Sequence, residues 1–447
     1  MRTGILSAAL AALLLNPAIA EAKRKPEPAP AAPVQLPYLS ANLPTSGEVR
    51  AFYAGWNYAP IWFSGNAAKP AANALIAMLQ RSPLDGIASG QQYAAQAQAA
   101  VQQAAATGSP EAIAFAEHTL SEALVLYAQM MDRPVPNMIY GYAYMKPTPP
   151  SADQVLRTAA GAPSLDAYLQ QIANPNTIYT AIRDAAWQQM QASGSTAPDP
   201  RVVANLDRTR GMPATGRFVL VNPATQMLTM YDNGIPVDSM KVIVGDLEHF
   251  HLPTPMITSM IFYAVHNPYW NAPDHLVKKN IAPLYLKQGD AYLKWRGYQV
   301  MSDWSENATV IPASSIDWKG VAAGNVHIRV RQKPGPDNFM GDLKFPFANP
   351  EDIFLHDSPE KELFAKSQRT LSNGCIRLED ASRLGRWLLG HEPVAHDGDA
   401  EEFERLPQGV PVYVTYITAQ PKNGQLTFVD DVYGLDPASN TRVAAGQ

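Results

Sequence analysis

Among 447 residues there is one cysteine, Cys375. A single thiol excludes any internal disulfide, so an apolar core rather than cystine staples must hold the fold. Positive charge is not in surplus either. Lys and Arg total 35 against 40 Asp and Glu, a net charge of -5, and the one basic cluster, "KRK" at 23–25, is short. That balance argues against a nucleic-acid partner. Beyond the N-terminus no apolar run is long enough to span a bilayer, and no internal repeat is visible.

The N-terminus, "MRTGILSAALAALLLNPAIAEAKRK", has a basic start at Arg2, an apolar run from Ile5 to Leu15 and a small-x-small end at Ala18-Ile19-Ala20. This is the layout of a secretory signal peptide over residues 1–20, and it predicts an exported, periplasmic protein. In an oxidising compartment an unpaired thiol is a candidate for reactive chemistry, with a small buried hydrophobe as the alternative. Residues 21–47 are rich in Pro and Ala and read as a linker.

From 48 to 212 the chain is rich in Ala and Gln and reads as a helical domain. In "EAIAFAEHTLSEALVLYAQMM", Phe115, Leu120, Leu124, Tyr127 and Met131 form an amphipathic stripe. "SLDAYLQQIA" opens on a Ser N-cap, and "TIYTAIRDAAWQQMQ" has the same period. Near Gly216 the texture changes to short β-prone runs broken by Asn-Pro and Asp-Asn-Gly, which are hairpin signals. More β-like runs follow in "ITSMIFYAVHNP", "NVHIRVRQ", "DIFLHD" and "VPVYVTYIT". The stretch from about 271 to 324 reads as an inserted lid, "ASRLGRWLLG" as a helix stopped by Gly390, and 437–447 as a frayed tail. The expected class is α+β, with a mostly-β unit over 213–436.

A catalytic thiol needs a base, because its ordinary pKa is about 8.5. His356 ends the apolar run "DIFLH", 19 residues before Cys375. The glycine-containing approach Ser372-Asn373-Gly374 suits a tight turn whose N–H groups converge on one point. Arg377 has the donors for a paired grip on a carboxylate, or for a structural ion pair. Ser372 reads equally as a turn former or a partner of the imidazole. "EHFHLP" sets His249 and His251 two apart, but no metal-binding spacing supports a metal site.

"FLHD" followed by "SNGCIR" resembles the active-site signature of the YkuD-type L,D-transpeptidases. The resemblance extends to "HNPYWNAP", "VRQKPGPDNFMGDLKFPF" and "VYVTYIT … VDDVYGLD", and more loosely to "FYAGWNYAPIWF" and "LQRSPLDGI". It covers roughly Gly216 to Asp436 and points to the larger periplasmic branch, in which a helical scaffold stands beside the catalytic domain. It implies that Cys375 attacks the third-position carbonyl of a peptidoglycan tetrapeptide stem and expels D-alanine, with His356 as base. Backbone N–H groups at Gly374 and Cys375 would hold the oxyanion. Arg377, Asn373, Tyr269, Trp270, Asn271 and Asn338 would lie at the substrate cleft, although lid packing suits the aromatic pair and turn chemistry suits Asn338 as well. The implied partners are stem peptides as donor and acceptor, with a cell-wall synthesis protein left open, and no metal or cofactor is implied. One departure is clear: residues 151–212 are too short for the peptidoglycan-binding module common in that branch. An L,D-carboxypeptidase or wall hydrolase, or a non-catalytic peptidoglycan-binding scaffold, are the competing expectations.

Overall fold

A computed structural model describes residues 46–248, 251–395 and 401–438. The predicted leader, most of the linker, His249 and most of the tail lie outside them.

The helical half packs around α1 (Pro70–Arg81), α2 (Gly90–Thr107) and α3 (Pro110–Met131), with α4 (Thr177–Ser193) and α5 (Pro200–Thr209) leading to the sheet. Local signals set the ends. Ser109 Oγ accepts from Ala112 N–H with Pro110 at the first helical position, and Ser164 caps Leu165–Ala173 through the N–H of Ala167. The striped residues Leu120, Leu124 and Tyr127 are fully buried in the core. That core does not stop at the sheet. Phe218, Leu220, Tyr413 and Ile417 belong to the same apolar cluster as Leu75 and Leu124, so the helical core packs directly on one side of the sheet.

The sheet is built from β1 (Arg217–Asn222), β2 (Met227–Asp232), β3 (Ile235–Gly245), β4 (Ile257–His266), β5 (Leu343–Pro346), β6 (Phe354–His356), β7 (Thr370–Ser372), β8 (Ile376–Leu378) and β9 (Glu402–Val414). Asn233 and Gly234, both at positive φ (49° and 76°), turn the β2–β3 hairpin, the conformation Asn-Gly adopts most readily. Strand order is β5-β6-β8-β3-β2-β1-β9-β4, and β5 pairs again with β4. The sheet thus closes on itself as a barrel. Val219, Val221, Leu228, Met230, Phe345, Leu355, Ile376 and Leu378 fill its interior. Alternation then sends Lys344, His356 and Arg377 to the outer face.

Register aligns that outer face. Phe403 pairs with Val265, Val265 with Lys344, Lys344 with His356 and His356 with Arg377. One row therefore crosses five strands. Between Asn267 and Gln332 lies the insertion, with a four-stranded sheet of Val310–Ile311, Tyr298–Met301, Arg329–Gln332 and Trp270–Asn271 and a core of its own around Trp318, Val330 and Tyr298. The expected end near 324 is corrected: "RVRQ" is a lid strand, because its partners, Gln299 and Asn271 among them, are lid residues.

Past β9 the chain returns as a strap. Asp436 accepts from Arg208 Nη1 (2.6 Å) and Thr418 Oγ1 (2.5 Å). Tyr433 Oη donates to the Gly245 carbonyl (2.7 Å) and accepts from Thr254 N–H (3.3 Å). Ala381–Leu389 forms the expected helix, and Gly390 at φ 83° ends it.

Candidate active site

The stretch "RTLSNGCIRLED" runs as β7, a turn, then β8. It is braced from behind. Arg369 is buried and donates to the carbonyls of Gln226 and Val242. Gly374 takes φ 107°, and a Cβ there would sit 3.0 Å from Ile353 Cδ1, so the turn requires glycine. Thr254 Oγ1 donates to the Gly374 carbonyl at 2.7 Å.

Ser372 resolves between its two readings. Its Oγ donates to the Cys375 carbonyl at 2.6 Å and accepts from Gly374 N–H at 3.2 Å. It forms the turn and holds no bond to the imidazole among the described residues. The Gly374 N–H, expected to face an oxyanion, is engaged by the Ser372 hydroxyl in this structure. Asn373 has a buried Oδ1 with no hydrogen-bond partner among the described residues, an open acceptor at the tip of the turn.

Cys375 is partly buried, and its thiol donates to the Asp352 carbonyl at 3.6 Å. Burial pushes the thiol up to about 11, against the opposing pull of the Phe354 amide, Lys344 and Arg377. His356 is buried at the end of β6, with Nδ1 2.6 Å from the Asp357 carbonyl. A carbonyl only accepts, so Nδ1 carries the proton and Nε2 keeps its lone pair. Burial first, then the Arg377 and Lys344 cations, push the imidazole down to about 3, while the carbonyls of Asp357 and Met340 work the other way. Thiol and imidazole are both neutral near pH 7. No hydrogen bond joins them among the described residues.

Arg377 pairs with Glu360, which satisfies its ion-pair reading. Lys344, which sequence reasoning passed over, stands beside His356 in register with Nζ 4.0 Å above the Phe354 ring. The available signal was a cation between two apolar residues in "LKF", where alternation places it on the face opposite the core.

The other expected cleft residues are largely spent on structure. Asn338 is buried and gives Nδ2 to the carbonyls of Pro268 (3.0 Å) and Lys333 (2.8 Å), while Oδ1 accepts from Met340 N–H (2.7 Å). Its expected substrate contact is corrected to turn chemistry, since no polar atom is left over. Trp270 packs on Phe339 with centroids 4.7 Å apart, Asn271 Oδ1 accepts from Arg329 Nε, and Arg331 covers the Tyr269 ring at 4.1 Å. All three are tied into the lid. No cluster of three His, Cys, Asp or Glu suited to a metal occurs among the described residues, and no helix among them is long and apolar enough to cross a membrane.

Residues 216–414 match the YkuD L,D-transpeptidase catalytic domain and 47–185 match a scaffold domain. A putative L,D-transpeptidase of Haemophilus influenzae is 26% identical over 408 residues, covering 87% of this chain and 78% of that protein. An Enterococcus faecium L,D-transpeptidase structure (11% identity, TM-score 0.22) overlaps 44% of this chain and 49% of its own. One from Mycobacterium smegmatis (11%, TM-score 0.22) overlaps 44% and 58%. The chain spans about half the length of these solved structures, and overlaps so partial carry no weight here. The two domain matches and the Haemophilus relative do: the chain carries a YkuD-type L,D-transpeptidase catalytic domain over 216–414, with a scaffold domain N-terminal to it over 47–185.

Proposed function

We propose that this protein is an exported, periplasmic enzyme that forms 3-3 cross-links between peptidoglycan stem peptides through a thioester on Cys375. The observation that carries this reading is the Nδ1–H bond of His356 to the Asp357 carbonyl. It fixes the tautomer that leaves Nε2 as a base, one strand away from the turn that presents the only thiol.

In this reading the Cys375 proton passes to Nε2 as sulfur bonds to the third-position carbonyl carbon of the donor stem. The oxyanion is held by the Cys375 N–H, since the Gly374 N–H is taken. Collapse breaks the bond to the terminal D-alanine, whose nitrogen takes the proton from His356. The side-chain amine of a neighbouring stem then attacks the thioester, gives its proton to Nε2, and releases Cys375.

Mature protein incubated with a carbapenem, which mimics the acyl donor in this family, is expected to gain one adduct mass, absent in Cys375→Ala. An adduct that persists in the variant sinks the nucleophile assignment, and no adduct on wild type favours a non-catalytic scaffold. A tetrapeptide muropeptide then separates outcomes, with dimer expected and tripeptide alone marking a hydrolase.

A further inference from the structure

We propose that Lys344 is a positioning residue for the reaction: its ammonium is the counter-charge that holds the Cys375 sulfur anionic while the proton resides on His356. The inference rests on Cys375 being the nucleophile and deepens that reading.

Three observations converge. Register sets Lys344 directly beside His356 on the outer face of the barrel. Its Nζ lies 4.0 Å over the Phe354 ring, a cation–π seat that aims the ammonium along β6. Phe354 is also the residue whose amide reaches the thiol. Of the two cations flanking His356, Arg377 is neutralised by Glu360, whereas Lys344 has no carboxylate within ion-pair distance among the described residues. A largely buried ammonium without a close counter-ion is costly to keep, and burial lowers its pKa. Charge separation at the thiol adds an anion to the more distant Glu401 carboxylate that already acts on this ammonium.

The ionisable groups that face the thiol are Lys344, Arg377 and Asp352, with His356 on the adjacent strand. Those acting on Lys344 are Glu401, Cys375 and Asp352. Asp352 opposes the thiolate and Arg377 is ion-paired with Glu360, whereas Glu401 acts on Lys344 from beyond ion-pair distance, so Lys344 is the less committed of the two cations. No bond to Lys344 forms or breaks. The proton travels from Sγ to Nε2 and onward to the leaving amine, and the ammonium lowers the energy of the intervening thiolate–imidazolium pair.

The single cysteine makes the test direct, because alkylation of the intact chain reports Cys375 alone. Rates with neutral iodoacetamide and with anionic iodoacetate are followed by mass from pH 7 to 9.5 for wild type, Lys344→Met and Lys344→Arg. Lys344→Met is expected to slow iodoacetamide about tenfold, as a rise of about one unit in thiol pKa requires. The iodoacetate-to-iodoacetamide rate ratio should fall several-fold besides, by loss of the local positive charge. Lys344→Arg should keep both within about threefold. A purely structural role would slow the two reagents equally and leave the ratio unchanged, which overturns the proposal, as do wild-type rates in Lys344→Met. Neither result touches the nucleophile assignment, which carbapenem acylation decides separately. A wild-type thiol inert to both reagents across the range overturns both.

Discussion

Two buried polar centres, one in each half of the molecule, follow opposite rules. In the helical half the Glu117 carboxylate accepts from the N–H groups of Ile61 (2.9 Å), Trp62 (2.8 Å) and Phe63 (2.8 Å) and from Tyr53 Oη (2.8 Å). Its lone pairs are used up, and it fastens an irregular segment to α3. In the catalytic half His356 keeps a free lone pair and Lys344 a charge without a close partner, while the Cys375 proton is held only by a 3.6 Å contact to the Asp352 carbonyl. Saturated centres hold a fold; unsaturated ones keep free energy available for a reaction. One pair does not obey this division. Glu122 is fully buried, 3.2 Å from His118 Nδ1, yet its oxygens lack hydrogen-bond geometry, and nothing around them explains it.

The contrast can be broken most forcefully at Glu117. Glu117→Ala strands three backbone N–H groups in the core and is expected to cost on the order of 3–5 kcal/mol, read as a lowered denaturation midpoint. Carbapenem acylation of the protein that remains folded should stay within about twofold of wild type. A midpoint equal to wild type would remove Glu117 from its fastening role.

His356→Gln should behave in the reverse sense. Acylation is expected to fall by roughly 10²–10⁴, while stability at acid pH improves. His356 titrates near 3 in the fold rather than at its ordinary 6.5, so between those values the unfolded chain binds a proton that the native state refuses. Wild type therefore loses stability as pH falls from about 6.5 towards 3, by up to a few kcal/mol. The Gln variant should lack that component of the slope, and equal slopes in urea melts at pH 4 and 7 would contradict the neutral, buried imidazole.

Asn338→Ala is expected to cost about 1–3 kcal/mol and to open the lid junction to limited proteolysis, since it removes the bonds to Pro268 and Lys333. Asn271→Ala, at an exposed position, should shift stability by no more than about 0.5 kcal/mol and leave acylation unchanged. A large acylation loss there would restore Asn271 as a substrate contact.

What was legible in the sequence was local. Ser164, Gly390 and the Asn233-Gly234 turn announce their elements through chemistry contained within a few residues, and the observed caps follow. The Cys375 turn was visible because glycine and a small hydroxyl residue flank it. Barrel closure was not, because it depends on β5 meeting β4 across roughly eighty residues of inserted chain. The placement of Arg329–Gln332 in the lid had the same cause: a strand pattern states its period, not its partner. Lys344 was missed for that reason too. Its significance arises only when β5 and β6 pair and set it beside His356.

The strap gives the enzyme's modularity a limit. The catalytic match ends at 414, yet Tyr433 binds Thr254, which in turn holds the carbonyl of Gly374. Asp436 meanwhile ties that same return segment to Arg208 of α5, which lies between the two domain matches. The recognised catalytic unit, cut out at its borders, would leave behind a brace of the Cys375 turn. A graft or a truncation that honours the family borders therefore moves the Cys375 turn without the strap and the α5 anchor that hold it.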